Sequence, residues 1–124
     1  MLTIGLATQV NRAINASVTY ARDVDQFGRE DLWRAAPLRG LGDCEDYALA
    51  KRQALLDAGT PSQALRLAIC RTELQEVHAV LIVTTERGDL VLDNRHPEPM
   101  TRDQLPGYTW LAIEEMGRWS TVAD

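Results

Sequence analysis

The sequence predicts an α+β domain in which helices come first and an antiparallel sheet follows. Three observations carry this. Apolar residues recur at helical spacing near the start of the chain, and a well-capped helical segment begins near residue 44. From residue 64 onward, short alternating or wholly apolar runs are separated by turn residues. The 124 residues suit one domain, 1–124, around a single core. With 45% hydrophobic and 25% charged residues, the chain has an ordinary globular composition.

Leu2, Leu6, Val10 and Ile14 recur at every fourth residue and set a first amphipathic helix over residues 3–16. Residues 21–42 carry Asp23, Asp25, Gly28, Pro37, Gly40 and Gly42 and read as a loop, with a short helical turn around Glu30 to Arg34. Asp43 is a good N-cap for the next helix, where Glu45 and Asp46 place negative charge in the first turn. Tyr47, Ala50, Ala54 and Ala58 form a small-residue stripe beside Leu55, so this helix is expected to be central and buried. Gly59 stops it and Pro61 prevents its continuation. Residues 64–70 alternate, with Leu65, Leu67 and Ile69 on one face. Residues 77–84 are apolar on both faces, as in a covered inner strand, and residues 89–93 return as the second arm of a hairpin. A last strand spans Tyr108 to Ile113, and Pro97, Pro99 and Pro106 keep the stretch before it irregular. The expected sheet is an antiparallel meander.

A net charge of −5 argues against a nucleic-acid footprint, which needs a basic patch. No apolar run approaches the ~20 residues of a membrane helix. The first residues show no basic segment of the kind that opens a signal peptide, so a cytoplasmic setting is the default expectation. Nearly all positive charge is arginine, and Lys51 is the only lysine. A Cys44–Cys70 disulfide is disfavoured, since a lone bridge is a poor framework. A zinc site from Cys44, Cys70, His78 and His96 lacks the close ligand spacings of structural zinc.

Cys44 falls in the first turn of the central helix, where unpaired backbone N–H groups and the helix dipole favour a thiolate. The same N–H groups suit the oxyanion formed when a thiolate attacks an amide carbonyl. Asp43, Glu45 and Asp46 oppose the thiolate unless a cation offsets them, either protonated His78 or a metal ion. Each residue has a plainer reading: a small buried cysteine, a hydrogen-bonded core histidine at His78, a turn-initiating aspartate at Asp93. Together they supply nucleophile, base and orienting group.

Gly42-Asp43-Cys44-Glu45-Asp46-Tyr47-Ala48, Ala50-Lys51, Val77-His78-Ala79-Val80-Leu81 and Gly88-Asp89-Leu90-Val91-Leu92-Asp93-Asn94 closely resemble the bacterial transglutaminase-like cysteine peptidases. Asp31-Leu32-Trp33, Pro37, Val10-Asn11 and Asn15 extend the resemblance over most of the chain. It implies a papain-like, transglutaminase-type core and a catalytic Cys44–His78–Asp93 triad. It also implies an oxyanion role for Trp33 and calcium held by Asp43 and Glu45. Asp23 or Asp25, from the preceding loop, is a further expected ligand. Family members studied as proteases cut surface adhesins in the periplasm. The expected function is a thiol peptidase acting on a protein or peptide substrate. The alternatives are acyl transfer to an amine, as in a transglutaminase or amidase, and a catalytically idle module that binds calcium and peptide. Cys44 is expected to be partly exposed and Cys70 buried. For Asp93 to lie opposite His78, Val83 must pair with Gly88 across a four-residue loop, Thr84 to Arg87.

Overall fold

A computed structural model describes residues 2–29 and 44–122, with the side chains of the first helix described as far as Ala16. Helix α1 spans Ile4–Arg29 and α2 spans Cys44–Asp57. Five strands follow, β1 Leu65–Arg71, β2 Val77–Thr85, β3 Gly88–Leu92, β4 Thr109–Glu115 and β5 Arg118–Thr121. The α+β expectation holds. Thr3 caps α1, its hydroxyl accepting from the Leu6 N–H at 3.2 Å. The helix runs well past residue 16, so the expected loop does not begin at residue 21. Polarity alone does not end a helix, and neither proline nor glycine occurs between residue 6 and Gly28. The helical turn expected around Glu30 lies outside the described residues.

Helix α2 ends as its sequence predicts. Gly59 takes φ +97°, its N–H donates to the Leu56 carbonyl at 3.0 Å, and the Thr60 N–H donates to Leu55 at 2.9 Å. This is the paired closure of a Schellman cap. The buried stripe is not the alanine row. Cys44, Ala48, Lys51 and Leu55 point into the core, while Tyr47, Ala50 and Ala54 are half-buried and Ala58 is exposed. The alanine spacing was a sound helical period on the wrong face, because Lys51 occupies a core position that charge alone would place outside.

The sheet order is β3-β2-β1-β4-β5, with every pairing antiparallel. It departs from a meander at β4, which crosses to the free edge of β1. The strand β5 was not expected; Met116 and Gly117, both at positive φ, turn β4 back into it. Both faces of the sheet are covered. On one, Leu65, Leu67, Ile69, Ala79, Leu81 and Val83 pack with α1 and α2. On the other, Ala68, Cys70, Val80 and Ile82 pack with Leu105 and Tyr108 from the irregular segment before β4. Double coverage explains why β2 is apolar on both faces.

Leu55 is fully buried between α2 and the sheet. Replacing Leu55 with alanine is expected to lower unfolding free energy by about 2–5 kcal/mol in urea denaturation. A loss below about 1 kcal/mol would show that the α2–sheet contact is not part of the stable core.

Candidate active site

The start of α2 and the start of β2 meet at Cys44. The Ala79 N–H donates to Cys44 Sγ at 3.3 Å, and the Cys44 side chain hydrogen-bonds with the His78 imidazole. The other side of that ring is taken by the acid: His78 Nε2 lies 2.7 Å from Asp93 Oδ1. This leaves Nδ1 for the thiol. Cys44, His78 and Asp93, expected together from sequence, are therefore brought together. Cys44 is buried at 8% exposure rather than partly exposed, because the Ala79 amide and the imidazole close over it. Access comes through a cavity of about 330 Å³ lined by Cys44, His78, Glu76, Val77 and Arg95.

The route by which Asp93 reaches His78 differs from expectation. Thr85 pairs with Gly88 and Leu81 with Leu92, so the hairpin turns tightly through Glu86 and Arg87, with Gly88 at φ +102°. The four-residue loop does not form. The same register, carried one residue on, sets Asp93 across from Val80, two positions from His78. Residues two apart share a face, and the diagonal separation is within reach of long side chains. The strand ends at Leu92, which frees Asp93 to lean along this diagonal.

The sequence did not reveal what holds Asp93. The Tyr108 hydroxyl donates to Oδ2 at 2.5 Å and the Arg95 backbone N–H donates to Oδ1 at 3.0 Å. The Arg95 guanidinium donates to the Tyr108 hydroxyl at 3.0 Å and is itself braced by a two-pronged pair with Glu73. Asn11 and Asn15, quoted above only as part of a resemblance, pin the segment that carries Asp93. Asn11 Nδ2 donates to the carbonyls of His96 and Pro97 at 2.8 and 2.9 Å, and Asn15 Nδ2 to that of Asp93 at 3.2 Å. Two asparagines four apart on one helix face were a legible signal; Tyr108 and Arg95 gave none.

Burial pulls the His78 imidazole towards neutrality. Hydrogen bonds to Asp93 and Cys44, together with their negative charges, outweigh it and raise the imidazole to about 9. Burial likewise pushes Asp93 up. The hydrogen bond and charge of His78, then Tyr108 and the Arg95 amide, reverse this and bring it to about 2. Tyr108 is raised, by burial first and then by donating to Asp93. Cys70 is wholly buried behind His78, its thiol donating to the His78 carbonyl at 3.5 Å, and burial pushes it to about 12. Both cysteines are free thiols. An arrangement of this kind can hold a proton on His78 beside the Cys44 sulfur.

Glu45 is 3% exposed in the first turn of α2, an oxygen donor buried next to Cys44. Asp43 and Trp33, the other expected metal ligand and the expected oxyanion donor, lie outside the described residues, as do the side chains of Asp23 and Asp25. Among the described residues no group of three or more His, Cys, Asp or Glu is placed to hold a metal.

A model of the family described as bacterial transglutaminase-like cysteine proteinase matches residues 3–124. LapG of Legionella pneumophila is similar in structure, with 27% identity and a TM-score of 0.58 over 65% of this chain. Calcium-bound LapG matches at 26% identity and TM-score 0.58, and EGTA-treated LapG at 27% and 0.59. Each match spans 46% of the LapG chain, so this chain corresponds to less than half of its length. No curated protein sequence matches.

Because His78 is raised from its ordinary 6.5 to about 9, its contribution to stability is complete below 6.5 and is lost as pH rises through about 9. The contribution of Asp93, lowered from 3.8 to about 2, is complete above 3.8 and is lost as pH falls through about 2. NMR titration is expected to place the His78 midpoint near 9, clearly above that of a free imidazole. A midpoint at or below 6.5 would mean that burial wins and that the ring is neutral at pH 7.

Proposed function

The chain belongs to the bacterial transglutaminase-like cysteine proteinase family, and from that premise we propose that it cleaves peptide bonds through a Cys44–His78–Asp93 triad. The observation that carries the reading is the imidazole held between the Cys44 thiol and the buried Asp93 carboxylate. In this mechanism Cys44 Sγ attacks the scissile carbonyl carbon, forming the S–C bond while the carbonyl electrons move onto oxygen. Backbone N–H groups at a helix start, such as those of α2 beside Cys44, are of the kind that receives such an oxyanion. Collapse breaks the C–N bond, and His78 gives its proton to the departing amine. His78 then takes a proton from water, the hydroxide displaces Sγ, and the acid product leaves with the thiolate restored. Asp93 keeps Nε2 bonded, so that Nδ1 faces the sulfur throughout.

Calcium fits the donor chemistry present. Carboxylate oxygens are what a hard cation takes, and Glu45 places such a group in the first turn of α2, next to Cys44. Glu45, with Asp43, would hold it; when bound, the ion supplies positive charge that offsets the acids beside Cys44. That one related protein has been solved both calcium-bound and EGTA-treated supports this reading.

A peptide library treated with the protein and read by mass spectrometry is expected to yield cleavage products that vanish in Cys44→Ala. Persistence of the same products in that variant would remove Cys44 as nucleophile. Adding a primary amine separates the two outcomes of the acyl-enzyme, since transfer would give amidated products and hydrolysis free acids. Calcium titration by calorimetry is expected to lose its heat signal in Asp43→Ala/Glu45→Ala; unchanged affinity would end the calcium assignment.

A further inference from the structure

Three connecting segments of the chain meet in a run of hydrogen bonds that ends on the acid of the site. Glu73 lies in the turn between β1 and β2, Arg95 follows β3, and Tyr108 immediately precedes β4. The Arg95 guanidinium donates to both oxygens of Glu73, and its Nη1 also donates to the Tyr108 hydroxyl at 3.0 Å. That hydroxyl lies 2.5 Å from Asp93 Oδ2, while Oδ1 meets His78 Nε2 at 2.7 Å. Chemistry fixes the direction of the run. A guanidinium can only donate, so the Tyr108 oxygen must accept from it. An ionised carboxylate can only accept, so the phenolic proton is aimed at Asp93.

Among the described residues the Tyr108 hydroxyl is the one donor to Oδ2. Both Asp93 and Tyr108 are buried, so without the hydroxyl half of the carboxylate would lack a donor at a depth where that is costly. A carboxylate that turned to find another donor would turn away from His78. The ring is placed as closely as the hydroxyl: it stands edge-on to His78, with centroids 6.2 Å apart at 85°, and the Arg95 guanidinium lies 5.5 Å from its centroid.

The backbone is shaped for this meeting. A Cβ at Gly107, the residue before Tyr108, would lie 2.8 Å from Glu73 Cβ and 3.7 Å from its Cα. A residue without a side chain therefore lets the β1–β2 turn close on the segment that carries Tyr108. The turn itself is braced, with Thr72 N–H donating to the Glu76 carbonyl and Gln75 N–H to the Thr72 carbonyl, each at 2.9 Å.

We propose that Tyr108 is a positioning residue of the site: its hydroxyl, aimed by Arg95 and Glu73, pins Asp93 Oδ2 and so keeps Oδ1 on the imidazole. A loose carboxylate would let the ring turn, and Nδ1 would no longer face the sulfur. Arg95 acts through the hydroxyl, and Glu73 through Arg95. The role in turnover rests on the peptidase reading; the hold on the Asp93–His78 bond does not.

The experiment uses the whole chain and Tyr108→Phe, which keeps the ring and removes only the hydroxyl. In ¹H NMR the His78 Nε2–H, assigned against His96→Gln, is expected to be sharp in the unsubstituted protein. In Tyr108→Phe it is expected to broaden or vanish through faster exchange with water. For a peptide that the library shows to be cleaved, kcat is expected to fall about 10-fold or more, with KM held within about twofold. A ring that only fills space predicts neither change. In Tyr108→Phe/Arg95→Met, kcat is expected to match Tyr108→Phe alone; a further drop would overturn the place of Arg95 in the run. Absence of the resonance from the unsubstituted protein, or an unchanged resonance or kcat in folded Tyr108→Phe, overturns the proposal. Should that variant not fold, Gly107→Ala carries the test, since it displaces Glu73 without removing a hydrogen-bonding group; an unchanged resonance there overturns it. A resonance lost in Tyr108→Phe, with no Cys44-dependent cleavage by the unsubstituted protein, would reject the peptidase reading and leave the hold on Asp93 standing.

Discussion

Asp93 is 2% exposed, and an ionised carboxylate at that depth persists only where donors meet both of its oxygens. The donors come from three places: His78 at the start of β2, Tyr108 just before β4, and the Arg95 amide two residues on. Much of the remaining architecture serves this meeting. Strand β3 ends one residue before Asp93, α1 pins the following carbonyls through Asn11 and Asn15, and Glu73 steadies Arg95 beneath the Tyr108 hydroxyl. The irregular segment from Pro97 to Tyr108 closes the second face of the sheet with Leu105 and Tyr108, and so delivers the hydroxyl.

Around that carboxylate the site is a balance of charges in a dry setting. The imidazole, pulled towards neutrality by burial, is returned to its charged form by Asp93 and Cys44. The Ala79 amide and the open end of α2 add fixed positive dipoles at the sulfur. Glu45 adds negative charge from the helix start. In such surroundings electrostatic effects are larger than in water, so the protonation state of the ring depends on several residues at once. A helix start set against a strand start brings the Ala79 N–H and the positive end of the α2 dipole to the sulfur.

The sequence alone determined the α+β order, the closure of α2 at Gly59, the doubly covered β2, and Cys44, His78 and Asp93 as the residues to watch. Each is a local matter: capping chemistry, the alternation of side chains, a nucleophile in a first helical turn. Tertiary structure decided the rest. The hairpin register depended on the length of the turn, which takes only Glu86 and Arg87, with Gly88 at positive φ pairing with Thr85. Sequence spacing placed Asp93 opposite His78 only through a longer loop, whereas the fold joined them along a diagonal with a tight turn. The partners Tyr108 and Arg95, and the burial of Lys51, left no local trace. A hydrogen bond across 15 residues, or the depth of one side chain, is set by how the irregular segments and helices close over the sheet. That closure is a property of packing between elements, which periodicity within an element does not encode.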